Sequence, residues 1–214
     1  MTRARARHPA PGRVTRSRDL RPLDDPPYRI VAARSFGKAL VAARTIVRGE
    51  TVASWAGARM RRRPTWQSVQ VSERRHAEDP RSLNLLNHAC EPNVRIDIPR
   101  RRVVALRRIR PGEVLAFFYP STEWTMARPF PCRCGSKRCL LEVRGARDLP
   151  LKILWRAPLT AHIKRMKRAQ AKQLRAALLA RRLDASNLPT PRLAPRPAAV
   201  ATVTTRRGAA GGLR

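Results

Sequence analysis

The chain has 214 residues, 43% of them hydrophobic, enough to fill the core of one domain of ordinary size with tails to spare. Its formal net charge is +33 with a pI near 12.0, so attraction to nucleic acid or another polyanion is physically expected, although arginine-rich coding without a dedicated binding site gives the same number. No apolar run reaches the length of a membrane span and the start of the chain lacks an apolar signal core, so a helical membrane protein is excluded and a cytoplasmic location, with nucleoid association, is expected.

Residues 1–27 read as a disordered basic arm, with seven arginines, several prolines and no periodicity. From Tyr28 to about Val143 the pattern changes to short apolar or alternating runs divided by Gly, Pro and charged turns, which predicts a β-rich domain. The clearest strands are Arg29 to Ala33, Ala39 to Ala43, Thr51 to Trp55, Val94 to Ile98, Val103 to Leu106 and Val114 to Tyr119. Two turns resemble each other: Ile46-Val47-Arg48-Gly49-Glu50 and Ile109-Arg110-Pro111-Gly112-Glu113 both place Gly then Glu before a strand, as a turn needing positive φ would.

Ser82 to Leu86 is an apolar run leading to Asn87, and Pro92 restricts the backbone that follows, so this segment reads as a loop held against the core. After Pro158, Thr160 is placed to cap a helix reaching about Leu183. On a 3.6-residue period Ile163, Met166, Gln170, Leu174 and Ala177 share a stripe, and Lys164, Arg165, Arg168, Lys172, Arg175 and Arg182 gather opposite. That cationic face is either a solvated surface or a contact for nucleic acid or an acidic partner. From Asp184 onward the composition predicts a disordered tail.

All four cysteines fall in two short stretches, Cys90 in Asn87-His88-Ala89-Cys90-Glu91-Pro92-Asn93 and the others in Cys132-Arg133-Cys134-Gly135-Ser136-Lys137-Arg138-Cys139. A CxCx4C run with one distant thiol supplies the four sulfurs that a tetrahedral structural zinc takes. The alternative is four small core residues unrelated to one another. A reducing compartment favours metal thiolates over disulfides.

Taken together, these segments resemble the SET-domain protein lysine methyltransferases, and the small bacterial members most closely. Asn87 to Asn93 is similar to the family's NHSCxPN signature with Ala89 in place of serine, and Gly112-Glu113-Val114-Leu115-Ala116-Phe117-Phe118-Tyr119 to its GExLxxxY segment. Cys132 to Cys139 resembles the post-SET zinc motif, and Gly37-Lys38-Ala39-Leu40-Val41-Ala42 the GxGLfA opening. The resemblance implies a mainly β fold, a SET-domain β-clip with a pseudoknot that brings Asn87 and His88 beside Tyr119. It divides the chain into a basic arm (1–27), a SET domain (28–128), a post-SET zinc segment (129–148), a basic amphipathic helix (151–183) and a tail (184–214).

It also implies methyl transfer from S-adenosylmethionine to a lysine of a protein substrate, by a monomer with no membrane partner. Tyr119 would be the catalytic tyrosine, with Lys38, Ala39, Leu40, Asn87, His88 and Tyr119 holding the cofactor. Trp55 and Phe117 would line the substrate channel, with the Phe117-Phe118 pair leaving that register open by one residue. Cys90, Cys132, Cys134 and Cys139 would bind Zn2+. The chain departs from the family pattern at Ala39, where the second glycine of GxG is expected, at Trp55, where a channel tyrosine is common, and at Leu141, where a glycine commonly follows the last cysteine. Those departures leave a second reading from a different class, a catalytically weakened SET-like zinc module that binds nucleic acid, and a third, a protein-interaction scaffold.

Overall fold

The alternating run after Pro27 forms a hairpin. In the computed structural model, which describes residues 25–33 and 37–186, strand β1 (Tyr28–Ala33) pairs antiparallel with β2 (Gly37–Ala42). Strands β3 (Thr51–Ser54), β8 (Val94–Asp97) and β9 (Arg102–Ala105) make a three-stranded sheet in the order β3-β9-β8. A second sheet, in the order β4-β6-β5, joins β4 (Arg59–Arg61), β5 (Val69–Ser72) and β6 (Arg75–Glu78). Periodicity does not signal β4 and β6, because their sequences are polar. They are aligned instead by Glu78, whose carboxylate accepts from Arg61 at 2.9 Å and from the Thr65 hydroxyl at 2.6 Å.

The two similar turns meet in space as a pair. Ile46 and Ile109 exchange backbone hydrogen bonds at 3.0 and 2.9 Å. Gly49 and Gly112 both have positive φ, 86° and 88°. The Glu50 and Glu113 carboxylates each accept from a backbone N–H three residues upstream, at Val47 and Arg110, and each pairs with an arginine at 2.7 Å, Arg44 and Arg107.

The segment after the second turn is expected as one strand from Val114 to Tyr119, and the structure divides it. Val114 makes an isolated bridge to Val41. Only Ala116–Phe117 (β10) is a strand, parallel to Asn87–His88 (β7), and Tyr119 opens a 3-10 turn because Pro120 ends the ladder. The division reflects neighbours on both sides. Leu115 N–H donates to Leu40 O at 2.8 Å, while Asn87 and Ala89 N–H donate to Leu115 O and Phe117 O. Asn93 completes the clasp: its Nδ2 donates to Val114 O and its Oδ1 accepts from Ala116 N–H, both at 2.8 Å. The chain thus crosses between two earlier segments, the knot-like threading that the resemblance implies.

Leu40, Val52, Leu83, Val94, Val103, Leu115 and Phe117 lie within one core of the sheets. A smaller core gathers Phe118, Ala146, Leu154, Ala157 and Ile163 beneath two helices, α1 (Leu151–Leu154) and α2 (Ala161–Ser186). In α2 Ile163 is buried and Met166 and Gln170 half-buried, whereas Leu174 and Ala177, expected on the same stripe, are exposed. Thr160 stands at the helix start, but its hydroxyl donates to Ser121 O at 2.8 Å. The boundary of the first compact unit falls at Gln173, within α2. The basic arm up to residue 24 and the tail from 187 lie outside the described residues. Among described residues no helix is long and apolar enough to cross a membrane.

Asn93→Ala removes both buried side-chain bonds of the clasp and leaves their partners without one. It is expected to lower stability by about 2–4 kcal/mol in urea denaturation; a loss below about 0.5 kcal/mol would show that the crossing does not depend on Asn93.

Candidate functional site

The four cysteines converge. Their Sγ atoms lie within 4.8 Å of one another, and the Cys90 to Cys132 distance is 3.8 Å. Four sulfurs at the zinc–thiolate bond length form a tetrahedron with edges of about 3.8 Å, so the set fits one Zn2+ with at most a small contraction. Backbone geometry supports it: Leu140 N–H points at Cys90 Sγ (3.3 Å) and Leu141 N–H at Cys139 Sγ (3.4 Å). Leu141 has φ 63°, the left-handed region that a glycine would occupy without strain, so leucine at this position carries a backbone cost that the glycine common there would avoid. β11 (Phe130–Pro131) and β12 (Glu142–Val143) pair on either side of this loop and hold its ends together.

Burial sets the charge state of the inner thiols. Burial raises Cys90 far above the ordinary thiol range and pushes Cys132 up to about 11. Cys134 comes down to about 7, because hydrogen bonds from the backbone of Cys90 and Ser136 outweigh burial, which acts to raise it. Metal capture therefore displaces protons from the buried members.

His88 links this cluster to Tyr119. Its Nδ1 accepts from the Tyr119 backbone N–H at 3.3 Å, which leaves the proton on Nε2, and Nε2 lies 3.3 Å from Cys90 Sγ. Burial lowers the His88 pKa to about 4, so the ring is neutral at pH 7. The Tyr119 hydroxyl donates to Leu86 O at 2.8 Å. Burial and then the charge of Glu123 raise its pKa well above the ordinary tyrosine range, so the phenol stays protonated.

These groups open onto a cavity of about 980 Å³, at the upper end of the usual range for ligand sites. Lys38, Asn87, His88, Phe117 and Tyr119 line it, as do Cys132 and Cys134. Ala39 and Leu40 are wholly buried in β2 and are not lining residues, although the Leu40 carbonyl anchors Leu115 beneath the site. Trp55 packs in the main core at 2% exposure and is not itself a lining residue, and its Nε1 has no hydrogen-bond partner among the described residues. Phe117 lies 4.7 Å from Tyr119 between ring centroids, while Phe118 turns into the smaller core.

Two residues of the site had no distinct signal in the sequence. Asn93 closed the expected signature but carried no assigned role. Glu123 is buried in the cavity wall; a lone glutamate between Thr122 and Trp124 gives no periodic hint of burial.

Residues 37–120 match the family model of the SET domain. That match covers less than half of the chain, and the proteins similar to the chain include methyltransferases. The chain is 39% identical over 102 residues to methyltransferase flvH of Aspergillus flavus, an alignment spanning 47% of this chain and 57% of that relative. It is 36% identical over 64 residues to human histone-lysine N-methyltransferase 2B, covering 27% of this chain and 2% of that one. The chain thus spans little more than half of the first relative and a small part of the second. Among solved structures, the methyltransferase domain of human histone-lysine N-methyltransferase SETMAR aligns with a TM-score of 0.41 at 21% identity over 53% of this chain and 56% of that one. KRYPTONITE in complex with mCHG DNA and SAH aligns with a TM-score of 0.43 at 21% identity, covering 54% and 28%.

Elemental analysis of the purified protein is expected to find one zinc per chain. Cys90→Ser should release it, and in the unmodified protein zinc should be lost as pH falls, because protons compete for the thiolates. Full zinc retention in Cys90→Ser would remove Cys90 from the shell.

Proposed function

We propose that the protein transfers a methyl group from S-adenosylmethionine to a lysine side chain of a protein substrate, with a structural Zn2+ closing the site. The observation that carries this reading is the Tyr119 hydroxyl fixed on Leu86 O at the wall of a cavity that Asn87 and His88 also line. The cavity suits the cofactor in volume and in lining. Lys38 at its edge is a counter-charge for a carboxylate, and the Asn87-His88 segment offers polar groups to an adenine.

When bound, the donor supplies a sulfonium methyl that is already activated, so the protein's work is alignment and exclusion of water. Tyr119, held neutral, acts by hydrogen bonding rather than as a base. The Phe117 ring beside it sets the width of the channel where the amine would sit, and phenylalanine there favours more than one methyl addition. A four-thiolate zinc has no open coordination position, so its part is structural. On this reading residues 28–128 and 129–148 act as SET and post-SET segments of a cytoplasmic monomer, and the cationic arm and tail bring it to nucleic acid where a basic substrate sits.

A second reading rests on the exposed basic residues of α2, Lys164, Arg168, Lys172, Arg175 and Arg182. In that reading the chain is a zinc-stabilised module that binds nucleic acid without methyl transfer.

Incubation with methyl-labelled S-adenosylmethionine and cell extract separates the two. Label is expected in protein and is expected to fall about 10²–10³-fold in Tyr119→Phe, the usual cost of removing one oriented donor. Absence of cofactor binding together with a salt-sensitive gel shift unchanged in Tyr119→Phe would favour the second reading.

A further inference from the structure

Glu123 stands apart from every other acidic group of the cavity. Glu91 is exposed, and Glu113 is held by Arg107 at 2.7 Å. Glu123 is only 7% exposed and forms no ion pair among the described residues, in a chain of net charge +33. Its Oε1 accepts from Gln70 N–H at 2.7 Å and from the Thr122 hydroxyl at 2.9 Å, which fix the carboxyl group in place. Oε2 has no hydrogen bond among the described residues and is not sealed in the core. The backbone places this group beside the tyrosine, since Glu123 N–H donates to Tyr119 O at 3.0 Å.

An isolated carboxylate in such a position is costly to bury, by several kcal/mol before compensation. Burial raises its pKa to about 7, only partly offset by the Gln70 and Thr122 bonds. No cation pairs with it among the described residues: Tyr119 is a neutral phenol, His162 on α2 and His76 on β6 are both held below the ordinary histidine range by burial, and Lys38, Arg107, Arg128 and Arg133 line the same cavity without an ion pair to it. What is missing is a positive charge entering from the cavity.

We propose that Glu123 receives the substrate amine as its ammonium and accepts one of its protons, so that the neutral amine is generated in the site. This rests on the methyltransferase reading above. A lysine amine has a pKa near 10.4, so at pH 7 only about one in 2,500 is free to attack. Tyr119 is poorly suited to take that proton, since its hydroxyl remains protonated and already donates to Leu86 O. In the step, the ammonium and the Glu123 carboxylate become a neutral amine and a carboxylic acid. The nitrogen lone pair then forms the N–C bond as the C–S bond breaks, its electron pair staying on sulfur. The products are a methylated ammonium and a neutral thioether, and Glu123 afterwards releases its proton to water through the cavity mouth.

The test is Glu123→Gln in the zinc-loaded full chain. The amide oxygen keeps both accepted bonds, so thermal unfolding should be unchanged. With cell extract as substrate, transfer by the unmodified protein is expected to rise with pH through about 7 as Glu123 ionises. The variant is expected to be about 10²-fold slower at pH 7, lacking that inflection, with the gap closing toward pH 10 as the amine loses its proton to water. A pH-independent loss, or no loss, overturns the proposal while leaving methyl transfer standing. Carboxyl NMR of glutamate-labelled protein gives a readout independent of turnover, using n-butylammonium as the probe. The Glu123 carboxyl resonance should shift when the probe binds in the presence of S-adenosylhomocysteine, even if no protein substrate is labelled; an unmoved resonance at saturating probe would overturn the proposal.

Discussion

The crossing of residues 114–117 between two earlier parts of the chain is the constraint on which the site depends. Leu40 holds this segment from one side, and Asn87, Ala89 and Asn93 from the other, through hydrogen bonds of 2.8 to 3.3 Å. Most of these bonds are backbone to backbone in a buried region, where an unmade bond costs more than a made one contributes. The crossing therefore tolerates little slippage. A shift of one residue would exchange Phe117 for Phe118, moving the ring that stacks on Tyr119 into the smaller core.

From that crossing the rest of the site follows by short steps. Strand β7 ends at His88, and the ring of His88 touches both the Tyr119 backbone and Cys90 Sγ. Cys90 lies two residues further on, so the loop that meets Tyr119 also reaches the cysteine cluster. A Zn2+ there would tie residues 132–139 to the same loop, and with them Phe130, whose ring is 6.1 Å from that of Tyr119. Stability and chemistry share the same few residues. The electrostatics are equally local: protons on the buried Cys90 and Cys132 thiols and on Tyr119 are held by desolvation, whereas Glu123 and the less buried Cys134 lie near half ionisation at neutral pH.

Much of this was legible in the sequence, for identifiable reasons. The paired Gly-Glu turns could be read because positive φ selects glycine, and Gly49 and Gly112 adopt it. The cysteine cluster could be read because four thiols at metal spacing have few other uses, and the strands of the main core because their apolar residues alternate. Strands β4 and β6 were hidden, since their pairing is set by an ion pair and a hydroxyl rather than by burial. Trp55 read as a channel residue by position alone, but its backbone N–H bonds to Arg101 O and its ring turns inward. Glu123 was invisible because what makes it unusual, burial without a cation, is a property of neighbours 53 residues away in the chain.

The central claim is that metal and cofactor act on one loop, and it is tested most directly by titrating S-adenosylhomocysteine into zinc-loaded and chelator-treated protein by calorimetry. Because Cys90 and His88 are joined through the same turn, removing zinc is expected to weaken binding by at least tenfold, and the ligand should strengthen zinc retention by the same factor. Equal affinity in both forms, with the fold intact by circular dichroism, would contradict the coupling.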